Sequence, residues 1–206
     1  MAAIYLISPP KIDLEQFASR LENSLKTGLI SVFQLRLKGY QEAEIEKISI
    51  KIKEICDRFN TLFIINDYVD IAFKIGASGV HLGVDDELIS NVRKKAPENF
   101  IIGASCYDSK DLVMKAGEQG ADYISFGAFF ESKTKKSRGK PTIDLIKWCD
   151  EIINLQIVTI GGINDENCLE LVKSGADFIA VISYVWNYED GEVEAIKKLD
   201  LAMKNI

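Results

Sequence analysis

Eight short apolar runs alternate with helical segments along this chain, and no other feature limits the fold so strongly. The runs cover residues 4–7, 31–38, 61–65, 79–82, 100–105, 122–126, 156–160 and 178–182. Between them, apolar residues fall three and four apart, the period of a helix with one buried face. Asp13 can cap the first helix, whose Leu14, Phe17, Ala18, Leu21 and Leu25 form a stripe that stops before Gly28. Over residues 41–59 the stripe is Ile45, Ile48, Ile52, Ile55 and Phe59. Further helices are expected up to about residue 74, over 88–95, from 108, over 143–153 and 165–173, and from 193 to 203. Strands this short and apolar suit a parallel sheet covered on both faces. An open, doubly wound sheet fits too, but eight units in 206 residues favour closure into a single (β/α)8 TIM barrel spanning residues 1–206.

A weak internal repeat supports closure. Gly76-Ala77-Ser78-Gly79, Gly120-Ala121-Asp122-Tyr123 and Gly175-Ala176-Asp177-Phe178 each join a helix end to a strand start. Glycine readily takes the left-handed conformation that stops a helix, so the repeat reads as one turn used three times on the N-terminal face of a barrel. That is a structural role, away from any chemistry.

With 47% hydrophobic residues the chain can bury a substantial core. Acidic residues outnumber basic ones by 31 to 25, a net charge of −6, which argues against nonspecific binding to nucleic acid or anionic membranes. No apolar run reaches the length of a membrane span and the first twenty residues lack a signal-peptide layout, so a cytoplasmic protein is expected. Cys56, Cys106, Cys149 and Cys168 lie far apart and, with the single His81, form no zinc pattern; buried reduced thiols are expected. Trp148 and Trp186 read as core residues, and oligomeric state stays open, a homo-oligomer included.

In a barrel, chemistry gathers where the strands end. Gln34, Arg36 and Lys38 alternate with Phe33, Leu35 and Leu37, so the polar three share one face. An edge strand with one wet face would accommodate those cations. Flanking helical segments instead indicate a covered strand, in which cations near the C-terminal end await an anion. Asn66 and Asp67 end the third strand, Asp85 and Asp86 follow the fourth, and Ser105 ends the fifth. The polar segment Ser132-Lys133-Thr134-Lys135-Lys136 follows the sixth, Gly161-Gly162 the seventh, and Ile182 and Ser183 the eighth. Asp67 and Asp86 could each simply cap the next helix. Two carboxylates on neighbouring strand ends opposite cations are better explained by a shared hard cation such as Mg²⁺, which takes few carboxylates plus phosphate oxygens. Gly161-Gly162 is either a plain turn or bare backbone for a phosphate, and residues 132–136 are either a solvated basic loop or a lid. Together these positions describe two anion sites in one mouth, one suited to a diphosphate and one to a monophosphate.

These residues resemble the thiamine phosphate synthase family over nearly the whole chain. The resemblance rests on Gln34-x-Arg36-x-Lys38, Asn66-Asp67, Val80-His81-Leu82-Gly83 leading to Asp86, Gly103-x-Ser105, Thr134-Lys135-Lys136 and Ile160-Gly161-Gly162-Ile163. It implies a transferase of thiamine biosynthesis that joins hydroxymethylpyrimidine diphosphate to a thiazole phosphate and releases pyrophosphate. It further implies Mg²⁺ on Asp67 and Asp86, with Arg36, Lys38, Ser105 and Lys135 as the catalytic set. Gln34, Arg36, Lys38, Asn66, Ser105 and Lys135 would bind the pyrimidine diphosphate. Ser132, Thr134, Gly162, Ile182 and Ser183 would contact the thiazole phosphate.

The chain departs from the family pattern at Leu37, Val84, Tyr107, Ala128 and Glu131-Ser132. Tyr107 and Phe130-Glu131 raise a related reading, the thiazole tautomerase on the same barrel. That enzyme typically carries a histidine at the position of Tyr107 and has no use for a carboxylate pair. A non-catalytic thiazole-phosphate-binding protein is the reading from another class. His81 is expected to pack or hydrogen-bond within its strand, and whether a thiazole enters in aromatic or carboxylated form stays open.

Overall fold

The computed structural model describes residues 2–131 and 138–205. Its strands are β1 (Ala3–Ile7), β2 (Ile30–Leu35), β3 (Leu62–Asn66), β4 (Gly79–Leu82), β5 (Ile101–Tyr107), β6 (Tyr123–Phe126), β7 (Gln156–Ile160) and β8 (Phe178–Val181). The helices are α1 (Leu14–Leu25), α2 (Glu42–Arg58), α3 (Val69–Ile75), α4 (Ile89–Lys95), α5 (Lys110–Glu118), α6 (Ile143–Ile152), α7 (Cys168–Lys173), α8 (Ser183–Trp186) and α9 (Glu192–Lys204). The strands pair in sequence order, all parallel, and β8 closes on β1, giving a (β/α)8 TIM barrel.

Alternation along each strand sorts the apolar residues into two layers. Tyr5, Ile7, Val32, Ile64, Tyr123, Val158 and Ala180 fill the barrel interior. Ile4, Leu6, Phe33, Leu35, Phe63, Ile65, Ile102 and Ile124 point outward against the helices. The helices answer with the stripes read from the sequence: Phe17, Leu21 and Leu25 of α1, and Ile45, Ile48, Ile52 and Ile55 of α2, are buried. Asp13 caps α1 by accepting from the Gln16 backbone N–H at 3.0 Å.

The repeated turn is deeper than its glycines. Gly76, Gly120 and Gly175 take positive φ angles of 65°, 91° and 106°. Two residues on, a side-chain oxygen reaches back to open the preceding strand. Ser78 accepts from Phe63 N at 3.0 Å, Asp122 from Ile102 N at 2.7 Å, and Asp177 from Ile157 N at 2.8 Å. The side chain thereby gives a partner to the N–H of each strand's second residue.

Several boundaries differ from the sequence reading; the strand expected over 31–38 ends at Leu35, which leaves Arg36 and Lys38 in the loop that follows it. β5 runs two residues past Ser105 to Tyr107, with its pairing to β6 shifting between those residues. The helix expected over 165–173 begins only at Cys168, because the Asn164 side chain accepts from the N–H groups of Glu166 and Asn167 and holds a turn there. Two helices rather than one follow β8, since the short α8 precedes α9. Trp186 at its end is buried and donates its indole N–H to the Ile7 carbonyl at 2.7 Å, which ties α8 to the rim of β1. All four cysteines are buried and free, and burial pushes the Cys56 and Cys106 thiols up to about 12.

Candidate active site

Every described candidate residue lies at the C-terminal end of a strand or just past it. Gln34 is the last inward residue of β2, and Arg36 and Lys38 stand beyond it. The chain is steered there from β1: the Ser8 hydroxyl accepts from Arg36 N at 2.8 Å, and the Pro10 carbonyl accepts from Lys38 N at 2.9 Å. Ser8 is buried. The sequence presented Ser8-Pro9-Pro10 only as a turn, and nothing local marked it as the support of the cations.

Asp67 follows β3 with φ 69°, its N–H donating to the His81 carbonyl at 2.9 Å. That left-handed kink, which short polar side chains tolerate, turns the carboxylate over the barrel mouth. There it pairs with Lys38 at 2.8 Å, both groups partly exposed. Asp86 lies beside Asp67 and accepts from Gly83 N at 2.7 Å. Burial, and then the neighbouring Asp67 carboxylate, hold Asp86 above the usual carboxylate range, while the Gly83 amide and Lys38 pull the other way. Asp85 of the same loop turns outward to Arg138 at 2.7 Å. The Arg36 guanidinium has no carboxylate partner among the described residues.

Two adjacent carboxylates, one strained toward protonation by the other, are the donor set a hard divalent cation relieves. No cluster of three or more His, Cys, Asp or Glu side chains suited to a metal occurs among the described residues. Asp67 and Asp86 are the two carboxylates there that could hold a hard cation, with waters and phosphate oxygens as its other ligands.

Below the carboxylates runs a buried polar chain. Gln34 Nε2 donates to Asn66 Oδ1 at 2.8 Å, and the Tyr5 hydroxyl donates to Gln34 Oε1 at 3.0 Å. Tyr5 and Tyr123 share a hydroxyl contact of 2.8 Å, Tyr123 meets His81 Nδ1 at 2.9 Å, and His81 Nε2 meets Ser105 Oγ at 2.9 Å. His81 is therefore bonded across to β6 and β5 rather than within its own strand. Burial pushes its pKa down to about 4, so the ring is neutral near pH 7. Burial raises both tyrosines as well. Tyr5 and Tyr123 were not legible as part of a polar site, because each reads as an aromatic inside an apolar run.

At the opposite side of the mouth, Gly161 and Gly162 take φ angles of 104° and 67°. A Cβ on Gly162 would fall 2.6 Å from the Glu131 carbonyl oxygen and one on Gly161 2.3 Å from the Ala128 Cβ. The glycines are demanded by the strand-exit loop of β6, whose Phe130 N–H donates to the Gly161 carbonyl at 3.0 Å. Ile182 packs on the interior cluster and Ser183 is exposed at the start of α8. Ser132, Thr134 and Lys135 lie outside the described residues. Tyr107 lies against Arg138, 5.9 Å from ring to guanidinium, with its hydroxyl 3.5 Å from Nη1.

Comparison with known proteins agrees with this geometry. The family model described as thiamine monophosphate synthase matches residues 4–185. The chain is 41% identical over 199 residues to the thiamine-phosphate synthase of Pelagibacter ubique, covering 95% of each chain. It is 38% identical over 192 residues to that of Erythrobacter litoralis, covering 91% of this chain and 89% of the relative. Among solved structures, thiamine phosphate pyrophosphorylase from Pyrococcus furiosus superimposes with a TM-score of 0.84 at 31% identity, covering 98% of this chain and 95% of that one. The 3-hexulose-6-phosphate synthase of Salmonella typhimurium, at 15% identity and a TM-score of 0.74, shares the fold alone. By the extent of these matches, the chain belongs to the thiamine monophosphate synthase family.

Proposed function

We propose that the protein is a thiamine phosphate synthase that joins hydroxymethylpyrimidine diphosphate to a thiazole phosphate and releases pyrophosphate. The observation that carries this reading is the cluster of Arg36, Lys38, Asp67 and Asp86 on one rim, directly above the Gln34–Asn66 amide pair. Charge there suits a diphosphate, and the amides beneath suit a polar ring attached to it.

In the reaction, the bond from the pyrimidine methylene carbon to the diphosphate oxygen breaks and the electron pair leaves with the diphosphate. The thiazole nitrogen lone pair then forms the new carbon–nitrogen bond. No general base or covalent nucleophile is required, in keeping with a site whose one histidine is neutral and internally bonded. Arg36 and Lys38 stabilise the departing negative charge, and Ser105 binds the diphosphate end. Asp67 and Asp86 would hold Mg²⁺, which when bound supplies positive charge to the diphosphate. Gln34 and Asn66 hold the ring so that the thiazole nitrogen meets the reacting carbon. Gly162, Ile182 and Ser183 are assigned to the thiazole phosphate, together with Ser132 and Thr134. Lys135 is assigned to the diphosphate. Residues 1–206 act as one barrel domain in this reading, in a reducing cytoplasm that keeps the four buried thiols free. Among the described residues no helix is long and apolar enough to cross a membrane.

The test is pyrophosphate release by the purified protein supplied with both substrates and Mg²⁺, with Asp67→Ala alongside. Release that needs both substrates and the metal and is lost in the variant supports the synthase. Release without the thiazole phosphate, or undiminished in the variant, overturns it.

A further inference from the structure

We propose that Ser105, His81, Tyr123, Tyr5, Gln34 and Asn66 form a single two-state hydrogen-bond wire, whose direction an anion at Ser105 reverses and whose far end presents the Gln34 amide in one of two orientations. It rests on the reading of the mouth as a diphosphate-substrate site and assigns Tyr5, Tyr123 and His81 as positioning residues.

The direction of the wire follows from counting protons. Each hydroxyl carries one hydrogen, and a neutral imidazole carries one on one of its two nitrogens. The Tyr5 hydrogen goes to Gln34 Oε1, so Tyr5 must accept from Tyr123. Tyr123 has then spent its hydrogen and accepts from His81 Nδ1–H, which leaves Nε2 bare to accept from the Ser105 hydroxyl. At the other end Gln34 Nε2 donates to Asn66 Oδ1. In this direction Ser105 shows the mouth only lone pairs.

Half-turns of the Gln34 and Asn66 amides, rotation of the hydroxyl hydrogens, and exchange of the His81 proton with solvent, one gained at Nε2 through Ser105 from the mouth and one given up from Nδ1, reverse every donor while leaving each contact in place. Asn66 then donates to Gln34, Gln34 to Tyr5, Tyr5 to Tyr123, Tyr123 to His81 Nδ1, and His81 Nε2–H to Ser105. The Ser105 hydrogen is released to the mouth. Any mixed arrangement sets two donors or two acceptors face to face at 2.8–3.0 Å among buried groups, where no water replaces the lost bond. Burial raises both tyrosines, which keeps their hydroxyls protonated and the wire continuous between Gln34 and His81.

Phosphate oxygens only accept hydrogen bonds. An anion settling at Ser105 therefore selects the second direction, in which Ser105 can donate. The unused lone pair and hydrogen of the Gln34 amide exchange places as the wire turns over. A ring edge that carries a donor beside an acceptor, as an aminopyrimidine does, matches only one of those placements. The diphosphate and ring ends of one substrate are thus recognised as a single event, and a free ring meets the mismatched amide.

His81 is the only histidine, so its tautomer can be read in the full-length protein by nitrogen NMR without assignment ambiguity. The probe is inorganic pyrophosphate with Mg²⁺. The expected result is an Nδ1–H ring in the free protein that becomes Nε2–H on pyrophosphate binding, with a matching shift of the Gln34 side-chain amide. Tyr123→Phe cuts the wire. It should still bind pyrophosphate, lose the Gln34 response, and fall about tenfold in kcat/KM for the pyrimidine diphosphate, a typical coupling between sites. Tyr5→Phe cuts it one link further on and should behave alike. An unchanged His81 tautomer in the wild-type protein with pyrophosphate bound, or a Gln34 response that survives in either variant, would overturn the wire and leave the proposed function standing. Failure of the wild-type protein to bind pyrophosphate would overturn both.

Discussion

Gly103→Ala tests how tightly the interior is built around Tyr123. A Cβ at position 103 would lie 1.9 Å from Tyr123 Cζ and 2.3 Å from its hydroxyl oxygen. Reaching even a tight 3.4 Å contact requires the ring to retreat by about 1.5 Å. The ring has nowhere to go: its hydroxyl is bonded to Tyr5 and His81, and its face stacks on the His81 ring with centroids 5.5 Å apart. A retreat of that size breaks both hydrogen bonds and leaves buried polar groups unpaired, at about 1–3 kcal/mol each. Overpacking adds about 1–3 kcal/mol. The expected destabilisation is therefore about 3–9 kcal/mol, measured by urea unfolding. Gly117→Ala is the matched control, since its Cβ would meet only the Leu155 Cδ1 at 3.5 Å on the exposed side of α5. That change should stabilise by about 0.5–1 kcal/mol through helix propensity. A Gly103→Ala protein less than about 1 kcal/mol weaker than wild type would refute the account of Tyr123 as immobile.

Other expectations follow from single interactions. His81 has a folded pKa near 4 against 6.5 for the free side chain, so the unfolded chain binds the extra proton between those values. Stability is full above pH 6.5 and falls by up to about 1.4 kcal/mol per unit as pH drops through that window, a slope that unfolding curves at pH 5–6.5 should lose in His81→Gln. Asp86→Asn removes a carboxylate whose folded pKa is raised, so in chelator the variant gains stability over wild type as pH rises through the carboxylate range, while pyrophosphate release is lost; equal melting temperatures at pH 4 and pH 7 would contradict this. Asp177→Ala frees the Ile157 N–H on the face away from the mouth and should cost about 1 kcal/mol in urea with turnover unchanged. Asp13→Ala should cost a similar amount, about 1 kcal/mol, from the lost cap of α1, and a null result would show that Gln16 finds another acceptor.

Much of this protein was legible in one dimension. Apolar runs of four to eight residues set the strands, three-and-four spacing set the helix faces, and the Gly-Ala repeat marked the turns at the barrel's floor. The candidate residues of the mouth announced themselves as charges and amides at or just past strand ends, although Arg36, Lys38 and Asp67 stand in the loops after β2 and β3 rather than on covered strands. Where boundaries moved, side chains had competed with the helix for backbone groups, as Asn164 does before α7.

The sequence by itself determined the alternation of strands and helices and the buried stripes of α1 and α2, since both depend on periodicity between near neighbours. Only the tertiary structure decided who meets whom inside. Tyr5 and Tyr123 stand 118 residues apart and share a hydrogen bond because closure sets β1 and β6 facing each other across a narrow interior. Ser8 became the support of Arg36, and Gly103 the space for Tyr123, through the pairing of the neighbouring strands β1 with β2 and β5 with β6. Periodicity assigns a side chain to a face; a partner on that face is fixed only when the sheet has joined its own edge and the interior must be filled without voids or unpaired protons.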